Sequence, residues 1–428
     1  MKWLLILVIF GLITTILYLS LYPIYNKASI KANMGNFRDE SAYKTHLKQL
    51  SEKLEPMREL RRPLGDQLAN INMSEAEQCF VNFYGLGCRF TGYLGPFEEG
   101  YFDPQNAVKL ACDAGCRVFV LEIDYLDDCL NQEGPAKYYP QIVVRDVNGR
   151  LRIKPNSNQP LCKGPQSNNI REVCQNIEDY AFKVSPDPVV IVLYFQRQPP
   201  GTYKSQTVLE YYSRVASALA PFQNRLITNV LEGGSFFRQK QEGRLLINKI
   251  SDYNNKVLIF SNANTNGFRE TNTYSPMEDL DFLVNLRLNY TQTQLGITES
   301  LSQGNYGVLE TIQDYLIIPS DRAEEVAENT KLRWTICLEK DPRQPVSTTD
   351  YENITQTFGV HCVPIQLFNN KEDTIMETFK NYSYVAKPKE LRYIKPAIVI
   401  PGEPNPTTDA KQGNLRAPTV GPAGGGPL

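Results

Sequence analysis

A (β/α)8 TIM-type barrel, preceded by one transmembrane helix and a helical stalk, is the fold class this 428-residue sequence predicts. Three observations carry it. Residues 3–22 hold no charge over twenty positions, enough at about 1.5 Å per residue to cross a hydrocarbon core of roughly 30 Å. Residues 26–78 are dense in charge and carry an apolar stripe at helical spacing. From 79 to 400, short β-branched strands alternate with amphipathic helical patterns, the rhythm of helices packed around a parallel sheet.

The anchor comes first in the chain. Trp3 at one end and Tyr18, Tyr22 and Tyr25 at the other suit an aromatic belt. The rival is a cleaved signal peptide, whose apolar core runs about 7–15 residues before a small-residue cleavage site. This stretch is longer and is followed by Leu-Tyr-Pro-Ile-Tyr, so residues 1–25 read as an uncleaved single-pass anchor with a lipid bilayer as partner. Lys27, Lys31 and Arg38 against Lys2 give a weak bias toward a cytoplasmic body. Sequons at Asn72, Asn289, Asn353 and Asn381 are usable only if that body is translocated. The side, and the membrane itself, stay open.

In the stalk, Tyr43, Leu47, Leu50, Leu54, Met57, Leu64 and Leu68 approach a heptad seam that Pro56 and Pro63 interrupt. One or two helices folding back on the body are favoured over an oligomerising coil. His46 reads there as a solvated helix residue. At the other end, residues 401–428 hold six Pro and six Gly and bury too little to offset ordering entropy. A partner surface could hold that tail as a strap.

Within the body, strands are expected at 79–84, 116–123, 141–144, 188–195, 255–260, 282–288, 332–338 and 360–367, with helices clearest at 104–114, 169–183, 205–220, 321–331 and 371–380. Asp103 before Pro104 is a helix start, as N-cap and first-turn proline. A doubly wound sheet is the alternative, but no Gly-rich phosphate fingerprint follows any strand.

Composition narrows the function. With 45 Lys+Arg against 47 Asp+Glu and a net charge of −2, the basic field that nucleic-acid binding needs is lacking. Nine cysteines form no C-x-x-C pair, and reduced, partly buried thiols are expected. The only histidines are His46 and His361, so any mechanism needing two must use both.

Four segments carry a resemblance. AVKLACDAGCRVFVLEIDYLDD at 107–128, NIREVCQNIEDYAFKVSPDPVVIVLYF at 169–195, NKVLIFSNAN at 255–264 and GVHCVPIQLFNNKEDTIMETFKNYSYVAKPKELR at 359–392 occur in order over about 310 residues. Together they resemble the eukaryotic-type phosphoinositide-specific phospholipase C barrel, of the PLC-like phosphodiesterase superfamily. The resemblance implies two histidines, one ending the first strand and one after the third. The first motif falls on 81–93, where Gly85 and Cys88 stand, with Leu86, Gly87 and Arg89 among them. The second falls on Arg145 and Asp146. An arginine gives up no proton at working pH. His361, near the amino end of the last strand, reads as structural.

The family's calcium site is likewise thinned. Glu122 and Asp124 of the second strand are retained and, two apart, point to one side. The fourth-strand carboxylate falls on Tyr194 or Phe195, and the lysines that hold ring phosphates are Phe260 and Asn262. Ca²⁺ takes six to eight oxygens, so no cofactor is expected beyond a weak Ca²⁺ at Glu122/Asp124. Tyr351 resembles the family's aromatic contact to the inositol ring. Two adjacent acids repel unless a cation compensates, which suggests a Glu122/Asp124–Arg145 cluster in place of the metal. The alternative is that both acids face solvent; Asp127 and Asp128 read as solvated loop residues.

The leading expectation is a membrane-anchored, catalytically inactive barrel that serves as a structural or interaction protein, such as a virion membrane protein. It would contact a protein partner through barrel loops or the 401–428 tail. A phosphoric diester hydrolase with Glu122 and Asp124 as acid and base is the alternative. A lipid-headgroup binder is disfavoured by the missing cations.

Overall fold

The computed structural model describes residues 40–71, 73–95, 101–127, 130, 137–145, 148–149, 151–153, 168–227, 244–271, 273–289, 306–341, 344–367 and 373–394. The expected anchor over 3–22 and the tail 401–428 lie outside the described residues, as do Asn72, Asp128 and Asp146. Among the described residues no helix is long and apolar enough to cross a membrane. The chain divides into two units, Met1–Tyr393 and Ile394–Leu428.

The first unit is mixed α/β around a curled, nine-stranded sheet. Two helices, α1 (Glu40–Leu60) and α2 (Leu64–Asn70), precede β1 (Phe83–Gly85), β2 (Gly87–Arg89), α3 (Pro104–Ala114), β3 (Val118–Tyr125) and β4 (Pro140–Ile142). Then follow α4 (Asn168–Val184), β5 (Val189–Phe195), α5 (Gln206–Ala218), β6 (Val257–Ser261), β7 (Leu286–Asn289) and β8 (Gly307–Thr311). The last are α6 (Ile312–Leu316), α7 (Ala323–Leu332), β9 (Trp334–Leu338), α8 (Thr348–Glu352), β10 (Ile365–Gln366), α9 (Asp373–Thr378) and β11 (Tyr384–Ala386). The sheet order is β9-β8-β7-β6-β5-β3-β2-β10, all parallel neighbours, with β4 antiparallel on β3. Ile336 of β9 pairs in parallel with Cys362, just ahead of β10. One edge therefore bonds to the chain feeding the other, a TIM-like, barrel-like fold.

Three strand expectations change. Residues 80–82 form a 3-10 turn rather than the first barrel strand, because Phe80 turns under the barrel to pack edge-on to Phe260 and Tyr253. The first parallel strand is β2. Being short, β2 pairs only with Val118 and Phe119 of the eight-residue β3, which leaves the far half of that edge open. The 141–144 segment fills it, with β4 pairing Ile142 to Ile123 in the antiparallel sense. The strand missed is β8. Its apolar signal is weakened by Gly307, where a Cβ would meet the Arg287 carbonyl oxygen at 2.5 Å, and by Glu310, which is buried.

The parallel strands are hydrophobic on both faces, as covered sheets require. On β3, Phe119, Leu121 and Ile123 pack under the helices, while Val118 and Val120 enter the inner core with Val190, Phe260 and Trp334. Helix α3 starts at Asp103, whose carboxylate accepts from Asn106 N at 3.1 Å. It ends at Gly115 in the left-handed region, φ +93.

The N-terminal helices are part of this body. Leu50 and Leu54 of α1 belong to the main core cluster. His46, expected in solvent, is buried with Nε2 3.0 Å from the Leu367 carbonyl oxygen; tertiary docking of α1 overrides its charged surroundings. Arg61, just past α1, donates to the carbonyls of Ala114 and Phe379. Its guanidinium lies where a Cβ on Gly115 would project.

Two predictions follow from these contacts. Gly115→Ala adds backbone strain and expels Arg61, and should lower the unfolding free energy by about 2–4 kcal/mol. Gly149→Ala, also at positive φ but with nothing within 4 Å, should cost only about 1 kcal/mol; urea titration of both variants checks the difference. Burial holds His46 below its ordinary pKa, partly countered by the Leu367 carbonyl. It therefore stabilises the fold above the unfolded value of about 6.5 and loses that contribution as pH falls through it. Glu310, pushed up to about 7 by burial and by Asp314, acts with the opposite sign. His46→Gln should accordingly lose less stability than wild type between about pH 7.5 and 5.5, read as the shift in urea midpoint.

Candidate functional site

The carboxyl ends of the parallel strands form the mouth of the barrel, and inward alternation on β3 brings Glu122 and Asp124 to it. Both are 0% exposed. Glu122 sits between two donors: Arg89 Nε at 2.6 Å on Oε1 and Gln196 Nε2 at 2.6 Å on Oε2. Asp124 takes Arg145 Nε on Oδ2, Arg197 Nε at 2.8 and 2.9 Å on its two oxygens, and Tyr125 N at 2.6 Å. Burial pushes both carboxyls up. Arg89 and Gln196 oppose this at Glu122, and Arg145 and Arg197 oppose it at Asp124.

The arginines are themselves braced. Arg89, inward on β2, donates from Nη1 to the Glu339 carbonyl just past β9. Arg145 lies in a short ribbon, Val144–Arg145 against Leu151–Ile153, and donates to the carbonyls of Gly149 at 2.8 Å and Tyr125 at 3.2 Å. Arg197 follows β5, reaches Asp127 at 2.9 Å and the Tyr125 carbonyl at 2.7 Å, and lies 4.3 Å from the Tyr125 ring centroid. Asp127 is thus paired rather than simply solvated. Within this ion-pair cluster the formal charges balance: Glu122, Asp124 and Asp127 against Arg89, Arg145 and Arg197.

Arg145 therefore compensates Asp124, while the counter-ion of Glu122 is Arg89 and not Arg145. Arg197 and Gln196 also went unanticipated. The available signal was parity: with the first strand at 87–89, Arg89 faces inward. At the fourth-strand position expected at Tyr194 or Phe195, Tyr194 pairs with Glu122 in register, and it is the side chain of Gln196, two residues on, that bonds Glu122. Asn262 ties β6 to β5, donating to the Phe195 carbonyl at 3.0 Å and accepting from Phe195 N at 2.8 Å. Phe260 is buried edge-on to Trp334.

Three expected site residues lie elsewhere. Gly85 is at the base, paired with Tyr384 of β11, because the strand that should have carried it to the mouth is the short antiparallel β1. Cys88 faces the helix layer on β2, within the main core cluster. Tyr351 is buried on α8 in the same layer, with its hydroxyl bonded to Thr378; its helix turns it away from the mouth. His361 is buried near the base, where Thr335 N donates to Nδ1 at 3.0 Å. That leaves the proton on Nε2, 2.7 Å from the Val81 carbonyl oxygen and 2.7 Å from Lys387 Nζ. Burial, and Lys387 beside it, hold its pKa well below the ordinary value.

These residues do not fit a divalent cation. Each oxygen of Glu122 and Asp124 is already bonded to a guanidinium or amide group, and Ca²⁺ needs several unshared oxygens at once. Among the described residues no cluster of three or more His, Cys, Asp or Glu could hold a metal ion.

No family model matches the chain, and no curated protein matches it. Solved structures do. PLC21 from L. pealei is similar at a TM-score of 0.51 and 14% identity, over 75% of this chain and 39% of that one. PLC21 from S. officinalis gives 0.49 and 13%, over 76% and 39%. A calcium-dependent phosphoinositol-specific phospholipase C from Pseudomonas sp. gives 0.44 and 13%, over 73% and 96%. The chain thus has a barrel-like fold similar to that of the L. pealei PLC21 structure, and it spans well under half the length of either PLC21.

A buried ion pair is weak evidence of net stability, but removing one partner strands the other charge, typically at about 3–5 kcal/mol. Glu122→Leu and Arg89→Met should each cost that much. The double variant should recover most of it, giving a large favourable coupling in a denaturant double-mutant cycle.

Proposed function

We propose that this protein is a membrane-anchored, catalytically inactive barrel with a phosphodiesterase fold, serving as a structural or interaction protein. The observation that carries the reading is the mouth. The two carboxylates positioned for chemistry are fully buried and bonded to arginines and an amide. A general base needs a free lone pair within reach of the substrate proton, and a metal site needs open oxygens. Neither histidine supplies a substitute: His46 is on the buried face of α1 and His361 near the base, each against a backbone carbonyl. The uncharged stretch 3–22 supports insertion in a lipid bilayer. A protein partner would engage barrel loops or the 401–428 tail.

One observation favours the alternative, a phosphoric diester hydrolase with a non-standard site: burial raises the Glu122 carboxyl, as a general acid requires. One assay separates the two. The full chain in lipid vesicles, offered phosphoinositides and glycerophosphodiesters with and without Ca²⁺, should show no turnover. Hydrolysis that disappears in Glu122→Gln would overturn the inactive reading. Calcium titration by calorimetry should likewise show no binding that Asp124→Asn removes.

A further inference from the structure

The base of the barrel holds a titratable pair that the proposed function leaves unused. Lys387, immediately past β11, is fully buried. Its Nζ lies 2.7 Å from His361 Nε2, 3.4 Å from the Thr330 carbonyl oxygen and 5.8 Å from the Tyr84 ring centroid. No carboxylate pairs with it among the described residues, and the charge that acts on it, on Lys331, has the same sign.

Donor and acceptor parity fixes its protonation state. Thr335 N donates to His361 Nδ1 at 3.0 Å, so Nδ1 offers a lone pair and the imidazole proton sits on Nε2. The Val81 carbonyl oxygen, 2.7 Å from Nε2, only accepts. An ammonium has three donors and no lone pair, and so close to an N–H it would set donor against donor. Nζ therefore meets the Nε2 proton with a lone pair, as a neutral amine, the state that burial also favours.

Four stretches of chain meet at this pair. Val81 belongs to the 3-10 turn, Thr335 to β9 and Thr330 to α7. Lys387 belongs to the closing segment 383–393. That segment lies on β1 through the antiparallel β1–β11 pairing. Lys387 N donates to the Asn82 carbonyl at 2.9 Å, and Leu86 N donates to the Ser383 carbonyl at 3.0 Å. Arg392 Nε returns to the Lys387 carbonyl at 2.6 Å, and Tyr384 reaches into the inner core.

We propose that Lys387 and His361 form a proton-operated latch on the base, closed by the neutral pair and released when Nζ takes a proton from solvent. The lone pair facing Nε2 becomes an N–H bond, the donor–acceptor match is lost, and segment 383–393 lifts from β1. An acidic environment thus opens the base and uncovers Tyr384. The opened segment binds one more proton than the closed one. Its fraction therefore rises about tenfold for each unit of fall in pH below the ordinary lysine value of about 10.4. Below about 6.5, His361, held uncharged by burial and by Lys387, adds a second proton on opening.

Other groups on the packed elements change charge outside about pH 6.5–8. Burial pushes Tyr84, Tyr384 and the Cys362 thiol up, and Ser74 and Arg392 hold the Glu77 carboxyl down. Asp187, which faces Tyr384 together with Arg117, accepts from Leu64 N at 2.9 Å and keeps that partner when the segment lifts. Lys331 is paired with Glu328.

Hydrogen exchange of the full chain, kept soluble in a non-ionic detergent, tests the latch across about pH 6.5–8. The intrinsic exchange rate of an opened amide rises in proportion to hydroxide, while the opened fraction falls in the same proportion. Peptides covering 383–393 should therefore exchange at a rate nearly independent of pH. Peptides covering the first turn of α5, where Leu209 N donates to the Ser205 carbonyl, should show the ordinary proportional rise. In Lys387→Met the 383–393 peptides should regain that rise. A proportional rise in the wild type would overturn the latch, and a flat profile that survives in Lys387→Met would overturn Lys387 as its sensor. The wild type alone gives a second check by nuclear magnetic resonance with lysine isotope-labelled at Cε. One resonance should hold the neutral-amine position at neutral pH, and its absence would overturn the assignment.

Discussion

Taking a carboxylate out of water costs several kcal/mol per ion even after relaxation, and the mouth takes out two of them on adjacent inward positions of one strand. Much of the surrounding architecture answers to that constraint. Arg89 reaches Glu122 only because β2 is short and sets its arginine inward, with Gly87 beneath it where a Cβ would meet Cys362 Sγ at 2.6 Å. Arg145 reaches Asp124 only because the chain after β4 turns into a ribbon across the mouth. Arg197 and Gln196 come from the chain immediately past β5. The arginines then bond carbonyls of Glu339, Tyr125 and Gly149, so the compensating charges also stitch β2, β3, β5 and β9 together.

The base is held by different means. There backbone carbonyls and aromatic edges join the ion pairs Arg392–Glu77 and Lys109–Asp113: Arg61 on Ala114 and Phe379, Asn82 on Tyr393, Phe80 against Phe260 and Tyr253. Lys387 is fully buried, 2.7 Å from His361 Nε2, and burial holds its pKa well below the usual lysine range. A neutral amine beside a neutral imidazole is the low-cost state of such a pair. The helices ahead of the barrel share this core, so what reads in sequence as a stalk is structurally a buttress.

Legibility differed by element. The helices and long strands were readable because their periodicity is local: 104–114 was expected and Pro104–Ala114 is observed, and 188–195 was expected where Val189–Phe195 lies. The failures were short segments whose state depends on neighbours. Residues 79–84 carry a strand-like run, but Phe80 is more useful under the barrel than beside it. Residues 141–144 are as β-branched as any barrel strand, but an open edge on β3 captures them in the opposite sense. In the site, Glu122 and Asp124 were readable from the resemblance, their spacing adding only that they share one face, and Arg145 from charge balance, whereas Arg89 was visible only once the first strand was moved.

By itself, then, the sequence determined an uncharged stretch long enough for a bilayer, an alternating α/β body and a pair of acids sharing one strand face. It also limited the histidines to two. Each of these is a property of consecutive residues, set by backbone period and composition. Only the tertiary structure decided which arginine meets which acid, that both histidines are spent on backbone carbonyls, and that α1 docks on the body. Those outcomes depend on contacts between residues tens to hundreds of positions apart, where a one-residue change in strand start reverses which side chains face inward.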